Sequence, residues 1–357
     1  MGITRRAFVA GSIGAALSGP PVRGAAPRWI DVHLHTIGGP KRQFGEAVER
    51  AVAEMDGRGM QKAVVFPPPY PSPTVAYDYK DYVPELKRYP GRFGFLAGGG
   101  TLNPAIQQYK EPSGVTSAIR QSFVDLAKEM LDAGAVGFGE IAALHFSLVP
   151  QHAFEEVPMD HPLLYALLEV AGTRQAVIDL HMDPVLKDAT RTPANLKVPP
   201  NPPTLKGNIP GFEKLLAHER NARIVWAHGG SDFTGNMTPA LIGRLMDAHP
   251  NLYMSLRPVP PGASAANAFN LRFYNLMVSP KGIEAGWLAL LKRHPNRFVM
   301  GADAFILSSS VLPEGPLAAL GRGNEGRFTA AHRLLSLLPA DLAQKIAVDN
   351  AVRLYKL

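Results

Sequence analysis

The 357-residue sequence contains no cysteine. This excludes disulfide staples, thiol nucleophiles and thiolate metal sites, so any metal must be held by histidine and carboxylate. Charge is sparse: Asp, Glu, Lys and Arg make up 19% of the chain against 46% apolar residues, which excludes a disordered polyelectrolyte. No acidic residue precedes Asp31, although Arg5, Arg6 and Arg23 do. Of the formal charge of +7, only 34 basic against 30 acidic groups fall within 27–357, and they are scattered. So dispersed an excess serves solubility, and with no basic cluster the chain is expected to bind no nucleic acid. The absence of G-x-S-x-G argues against a serine hydrolase elbow. No uncharged apolar run approaches the ~20 residues of a membrane-spanning helix, so no stable span is expected.

What is present begins at the N-terminus. The paired Arg5-Arg6 is followed by Ala7-Phe8-Val9 and an uncharged, weakly apolar stretch to Gly19. Gly24-Ala25-Ala26 then offers the small residues that a signal peptidase reads. The segment resembles a bacterial twin-arginine export signal, including the Phe after the arginine pair. That resemblance implies a signal over 1–26, passage through the twin-arginine machinery, and a periplasmic or secreted location. A single domain is expected over 27–357.

Within that domain, short β-rich apolar runs alternate with amphipathic ones. The strands expected are Trp29–His35, Ala63–Pro67, Phe93–Ala97, Ala135–Ile141, Ala176–His181, Arg223–His228, Asn251–Ser255 and Phe298–Asp303. Helical patterns lie between them at Phe44–Asp56, Ser117–Ala133, His161–Gly172, Gly211–Arg220, Thr238–Ala248 and Gly282–Arg293. Clusters such as His249-Pro250-Asn251 and His294-Pro295-Asn296 stop a helix and open the next strand. Eight strands alternating with helices fit an α/β fold, the (β/α)8 TIM barrel. A doubly wound open sheet would want a glycine-rich phosphate turn after its first strand, and Gly38-Gly39-Pro40 does not make G-x-G-x-x-G. Two proline-dense stretches, Pro67–Pro73 and Pro184–Pro210, follow strands and are expected to wall or cover a pocket on the C-terminal face.

Polar residues interrupt these strands near their C-terminal ends. In Ile30-Asp31-Val32-His33-Leu34-His35, strict alternation would turn Ile30, Val32 and Leu34 toward the helices and His33 and His35 into the barrel. Glu140, His181, His228 and Asp303 end four further strands. Each alone has an ordinary structural explanation. Together, six imidazoles and carboxylates converge where a barrel assembles its active site, and burying them unpartnered would cost several kcal/mol each. A divalent cation is the natural partner.

The constellation resembles the amidohydrolase superfamily of metal-dependent barrels, and most closely its amidohydrolase-2 family. The likeness rests on Asp31-Val32-His33-Leu34-His35, Gly139-Glu140-Ile141, Ala227-His228-Gly229-Gly230, Gly301-Ala302-Asp303 and the closing Asp349-Asn350-Ala351-Val352-Arg353-Leu354-Tyr355. It implies that His33, His35 and Asp303 hold one metal and that His181 and His228 hold a second bridged by Glu140; relatives with one metal leave that count open. Zn²⁺ suits the donor set, as do Mn²⁺ and Fe²⁺. The implied activity is hydrolysis of an amide, ester or lactone of a small-molecule substrate, with Asp303 as general base and, in a one-metal site, His228 polarising the carbonyl. The alternative is non-oxidative decarboxylation of a small aromatic or unsaturated acid, which relatives carry out on the same barrel. Arg257, after the seventh strand, is a candidate clamp for a substrate carboxylate. Asp183, Ser231, Asp232 and His145 are read as ordinary loop residues.

Overall fold

The computed structural model describes residues 28–150, 152–260 and 271–357. The expected export signal lies outside the described residues. Eight parallel strands form the expected cylinder: β1 (Trp29–Ile37), β2 (Met60–Val65), β3 (Phe93–Phe95, continued by Ala97–Gly98), β4 (Gly137–His145), β5 (Val177–Met182), β6 (Arg223–Gly229), β7 (Leu252–Leu256) and β8 (Phe298–Met300, continued by Ala304–Leu307). Each pairs with the next, and the second half of β8 pairs with β1 (Leu34 with Ala304, Ile37 with Leu307), which closes the barrel. The ladder changes partner only at Leu96 within β3 and at Gly301–Asp303 within β8.

Two apolar clusters follow from the period-two alternation of strand side chains. Ile30, Val32, Val64, Phe66, Leu96, Val177, Val225 and Val299 pack against one another from six different strands, which places them inside the cylinder. Alternate residues such as Ile178, Leu180, Ile224, Trp226, Phe298 and Met300 join the outer cluster beneath the helices. Full burial of each such side chain contributes about 1.5–3 kcal/mol. The helix Asn350–Tyr355 closes the N-terminal end of the cylinder by adding Ala351, Leu354 and Tyr355 to the inner cluster. Asn350 fastens it, donating from Nδ2 to the carbonyls of Pro295 (2.9 Å) and Phe298 (2.8 Å).

Several helices begin on the residues that the sequence suggested. His161 and Thr238 are caps whose side chains accept from Leu163 N and Leu241 N, and Pro162 and Pro239 occupy the first helical turn. The expected helix from Gly282 instead starts at Ala285, because Gly282, with φ +125°, turns a short antiparallel pair with Val278–Ser279. The proline-rich stretch after β5 is tied down at two places. Thr190–Arg191 pairs with Thr204–Leu205, and the Asn201 side chain accepts from Ser147 N and donates to Ser147 O on the loop after β4.

The alternation expected for β1 is corrected. Ile30 and Val32 face the barrel interior, while Leu34 belongs to the outer cluster. The cause is a bulge: from Asp31 to Leu34 β1 takes three steps where β2 takes two from Ala63 to Val65.

Candidate metal centre

Bulges recur wherever an inward polar side chain would otherwise be out of phase. β4 takes three steps from Phe138 to Ile141 against two on β5, around Glu140. β6 does the same from Trp226 to Gly229 against β7, around His228. His228 also has φ +69° and Asp303 φ +54°, left-handed conformations that cost a non-glycine residue about 1–3 kcal/mol and concentrate at functional sites. β5 carries no extra residue, and Val177, Asp179 and His181 follow one another inward at every second position. Glu140 lies within β4, which runs on to His145, and not at its end as the sequence suggested. Two glycines make room. A Cβ on Gly139 would sit 2.9 Å from Leu96 Cδ1 and 3.0 Å from Asp179 Cβ, and one on Gly301 would sit 2.9 Å from His33 Cβ.

All six residues named from the sequence converge. His33 and His35 are fully buried, and Glu140, His181, His228 and Asp303 nearly so. Glu140 sits between two groups of donor atoms. Its Oε2 lies 3.4 Å from His33 Nε2 and 3.5 Å from His35 Nε2, and those nitrogens lie 3.8 Å and 3.4 Å from Asp303 Oδ1. Its Oε1 lies 2.7 Å from His181 Nδ1 and 3.2 Å from His228 Nε2, which are themselves 3.2 Å apart.

The side chains behind these nitrogens set which of them face inward. His35 Nδ1–H donates to the Phe66 carbonyl at 2.8 Å, which leaves Nε2 toward Glu140 and Asp303. His33 turns Nδ1 to Asp179 Oδ2 at 3.4 Å, and His181 turns Nε2 to Asp183 Oδ2 at 3.5 Å. Arg257 does not stand free as a clamp: Nε lies 3.1 Å from Asp303 Oδ2, and Nη1 donates to Ser231 Oγ at 2.7 Å.

Electrostatics follow from burial and these pairs. Burial opposes the charged forms of Glu140 and Asp303, yet both carboxyls are held well below the usual range, Glu140 chiefly by His33 and then His181 and His228, Asp303 chiefly by the Arg257 guanidinium. Burial also works against charge on His181, but Asp183 and Glu140, one at each nitrogen, hold it up at about 10. His228 is driven down to about 3 by burial.

The donor set fits a divalent cation. Nε2 of His33 and of His35 are buried without a hydrogen-bond partner. Three overlapping triplets, His33–His228–Asp303, His33–His35–Glu140 and Glu140–His181–His228, each bring their ligand atoms within 4.8 Å of one another. The separations of 3.4–3.8 Å around Glu140 Oε2 and Asp303 Oδ1 match the edge, about 3.4 Å, of a tetrahedron with bonds of about 2.0–2.1 Å.

Sequence reasoning passed over four neighbours. Asp179 and Asp183 flank His181 in a D-x-H-x-D pattern whose alternation, on a strand already identified, was the available signal. His145, read as a loop residue, ends β4 with its ring 4.3 Å from that of His181 and its Nδ1 3.3 Å from Glu155 Oε2. Arg327, on the helix Asn324–Leu337, lies over the Phe305 ring; burial lowers its pKa to about 10 against the pull of Asp303. Nothing in the sequence pointed to it. Asp232 is a loop organiser, as expected, and accepts from the backbone of Thr234, Gly235 and Met237.

No family model matches the chain, and no curated protein matches it in sequence. Solved structures do. An organophosphorus hydrolase variant from Deinococcus radiodurans is similar over 92% of this chain and 92% of its own, at 12% identity and a TM-score of 0.52. A TIM-barrel protein from Bordetella bronchiseptica is similar over 92% of this chain and 99% of its own, at 16% identity and a TM-score of 0.49. A dihydroorotase from Saccharomyces cerevisiae is similar over 92% and 84%, at 12% identity and a TM-score of 0.49. The first of these likenesses supports the TIM-barrel fold.

Proposed function

We propose that the chain is a metal-dependent hydrolase of the amidohydrolase type, acting on an amide, ester or lactone of a small molecule. The observation that carries this reading is Glu140, whose two carboxylate oxygens face two separate groups of imidazole donors. His33, His35 and Asp303 would hold one cation and His181 and His228 a second, with Glu140 shared; Zn²⁺ is the first choice, Mn²⁺ and Fe²⁺ the alternatives. When bound, such cations supply Lewis acidity that polarises a carbonyl or phosphoryl oxygen and acidifies water.

The chain's own residues do the rest. Asp303 reaches the opening, with its side chain 11% exposed against 0% for His33 and His35. Arg257 keeps it ionised, so it can take the proton of the attacking water and pass it to the leaving group. Arg257, held by Asp303 and Ser231 through Nε and Nη1, would have only its remaining nitrogen to offer an anionic group of the substrate. The proline-rich stretch after β5, on the C-terminal side of the barrel, would bear on which substrates enter. The paired Arg5-Arg6 supports export by the twin-arginine route to the periplasm or beyond.

A panel of esters, lactones and amides assayed with the metal-loaded protein tests the reading. Turnover of one class is expected, falling at least ~10²-fold in Asp303→Ala. Release of CO₂ from aromatic or unsaturated acids, with no hydrolysis, would instead assign the chain to the decarboxylases.

A further inference from the structure

The geometry points to Asp179 and Asp183 as a pair of positioning residues, each orienting a histidine of a different donor group, one from β5 and one from the residue just past its end. This inference rests on the metal reading above and extends it. Asp179 is fully buried on β5, and neither of its oxygens accepts a hydrogen bond from a described residue. The basic group facing it within 4 Å is His33 Nδ1, at 3.4 Å. Asp183, two residues past His181, is also buried and has Oδ2 unpartnered, 3.5 Å from His181 Nε2. A buried carboxylate without a donor costs several kcal/mol, so each aspartate is expected to draw in the imidazole N–H it faces.

The consequence is a choice of nitrogen. An N–H on His33 Nδ1 leaves Nε2 as the ligating atom, which is the nitrogen that faces Glu140 and Asp303. An N–H on His181 Nε2 leaves Nδ1, the nitrogen that faces Glu140 Oε1 and His228 Nε2. Such carboxylate–histidine partners fix ring orientation and raise ligand basicity, and their loss typically weakens metal binding about 10–100-fold. The alternation of β5 makes the arrangement possible: Asp179 and His181 project to one side of the strand, and Asp183, one residue past its end, faces the far nitrogen of His181. Gly139 leaves the room that Asp179 occupies, since a Cβ there would sit 3.0 Å from Asp179 Cβ.

Metal-stripped full-length protein titrated with Co²⁺ against a chromophoric chelator tests this, using the visible absorption of the bound ion as the readout. The wild type is expected to take up two ions. Asp179→Ala should weaken one of them about 10–100-fold and Asp183→Ala the other, each with an altered Co²⁺ spectrum. Asp179→Asn and Asp183→Asn preserve shape and one acceptor oxygen, keep the fold if the alanine variants lose it, and should recover part of the affinity. Wild-type affinity and spectrum in both alanine variants would overturn the positioning role while leaving the metal site standing. A loss in the asparagine variants as large as in the alanine variants would also overturn it. Failure of the wild type itself to bind Co²⁺ would be a failure of the metal reading.

Discussion

At the scale of single residues, the centre depends on side chains that are not there. Gly301 lets β8 pass beneath His33, and a methyl group at that position would meet His33 Cβ at 2.9 Å and Ser255 Cβ at 3.0 Å. Gly301→Ala is therefore expected to destabilise the fold by about 1–3 kcal/mol and to weaken metal binding by displacing His33, measured by thermal melting and metal titration. A second residue-scale prediction concerns His152, whose ring lies 4.8 Å from that of His145. Burial, and then the charges of His145 and His181, lower its pKa from 6.5 to about 3. In the window between those values the unfolded chain binds a proton there and the folded chain does not, so stability falls as the pH drops from about 6.5 toward 3, by at most about 1.4 kcal/mol per pH unit. Denaturant melts of the wild type and His152→Gln across that range should show the shallower pH dependence in the variant.

At the scale of elements, the strands were legible and their irregularities were not. Hydrophobic runs such as Ala176–Ile178 and Arg223–Trp226 bound short β segments in any reading, and β5 needed only its regular alternation to aim Asp179 and His181 inward. A bulge leaves no such mark. Nothing in Asp31-Val32-His33-Leu34 says that three steps will face two on the neighbouring strand, so Ile30 and Val32 were assigned to the helix side alongside Leu34, which alone lies there. Likewise Glu140 and His228 reach the interior through bulges that depend on the pairing of β4 with β5 and of β6 with β7, contacts absent from the linear sequence. The closing helix was legible only through the likeness of Asp349–Tyr355 to the amidohydrolase-2 family, and its turn of Ala351, Leu354 and Tyr355 into the inner cluster was not. Its anchoring is testable: Asn350→Ala strands the Pro295 and Phe298 carbonyls that its amide serves, and is expected to cost about 1–3 kcal/mol in a chemical melt with little change in the Co²⁺ spectrum.

At the scale of the whole molecule, the cylinder divides its interior by height. Valines, Ile30 and Leu96 fill the lower part above the Tyr355 plug, and imidazoles and carboxylates gather toward the C-terminal ends of the strands, with Phe66 packed against His33 and His35. That division was readable in outline because five of the strands carry an imidazole or carboxylate toward their C-terminal ends, whereas the donors' partners, Phe66 O, Asp179, Asp183 and Arg257, are fixed only by closure of the barrel. The central claim is that Glu140 joins two groups of donors around two divalent ions. Elemental analysis of protein purified without chelator tests it most directly. About two equivalents of a divalent metal per chain are expected in the wild type, with a clear loss in Glu140→Ala; a wild type carrying one equivalent or none after incubation with excess Zn²⁺, or an undiminished content in Glu140→Ala, would rule out the shared role of Glu140.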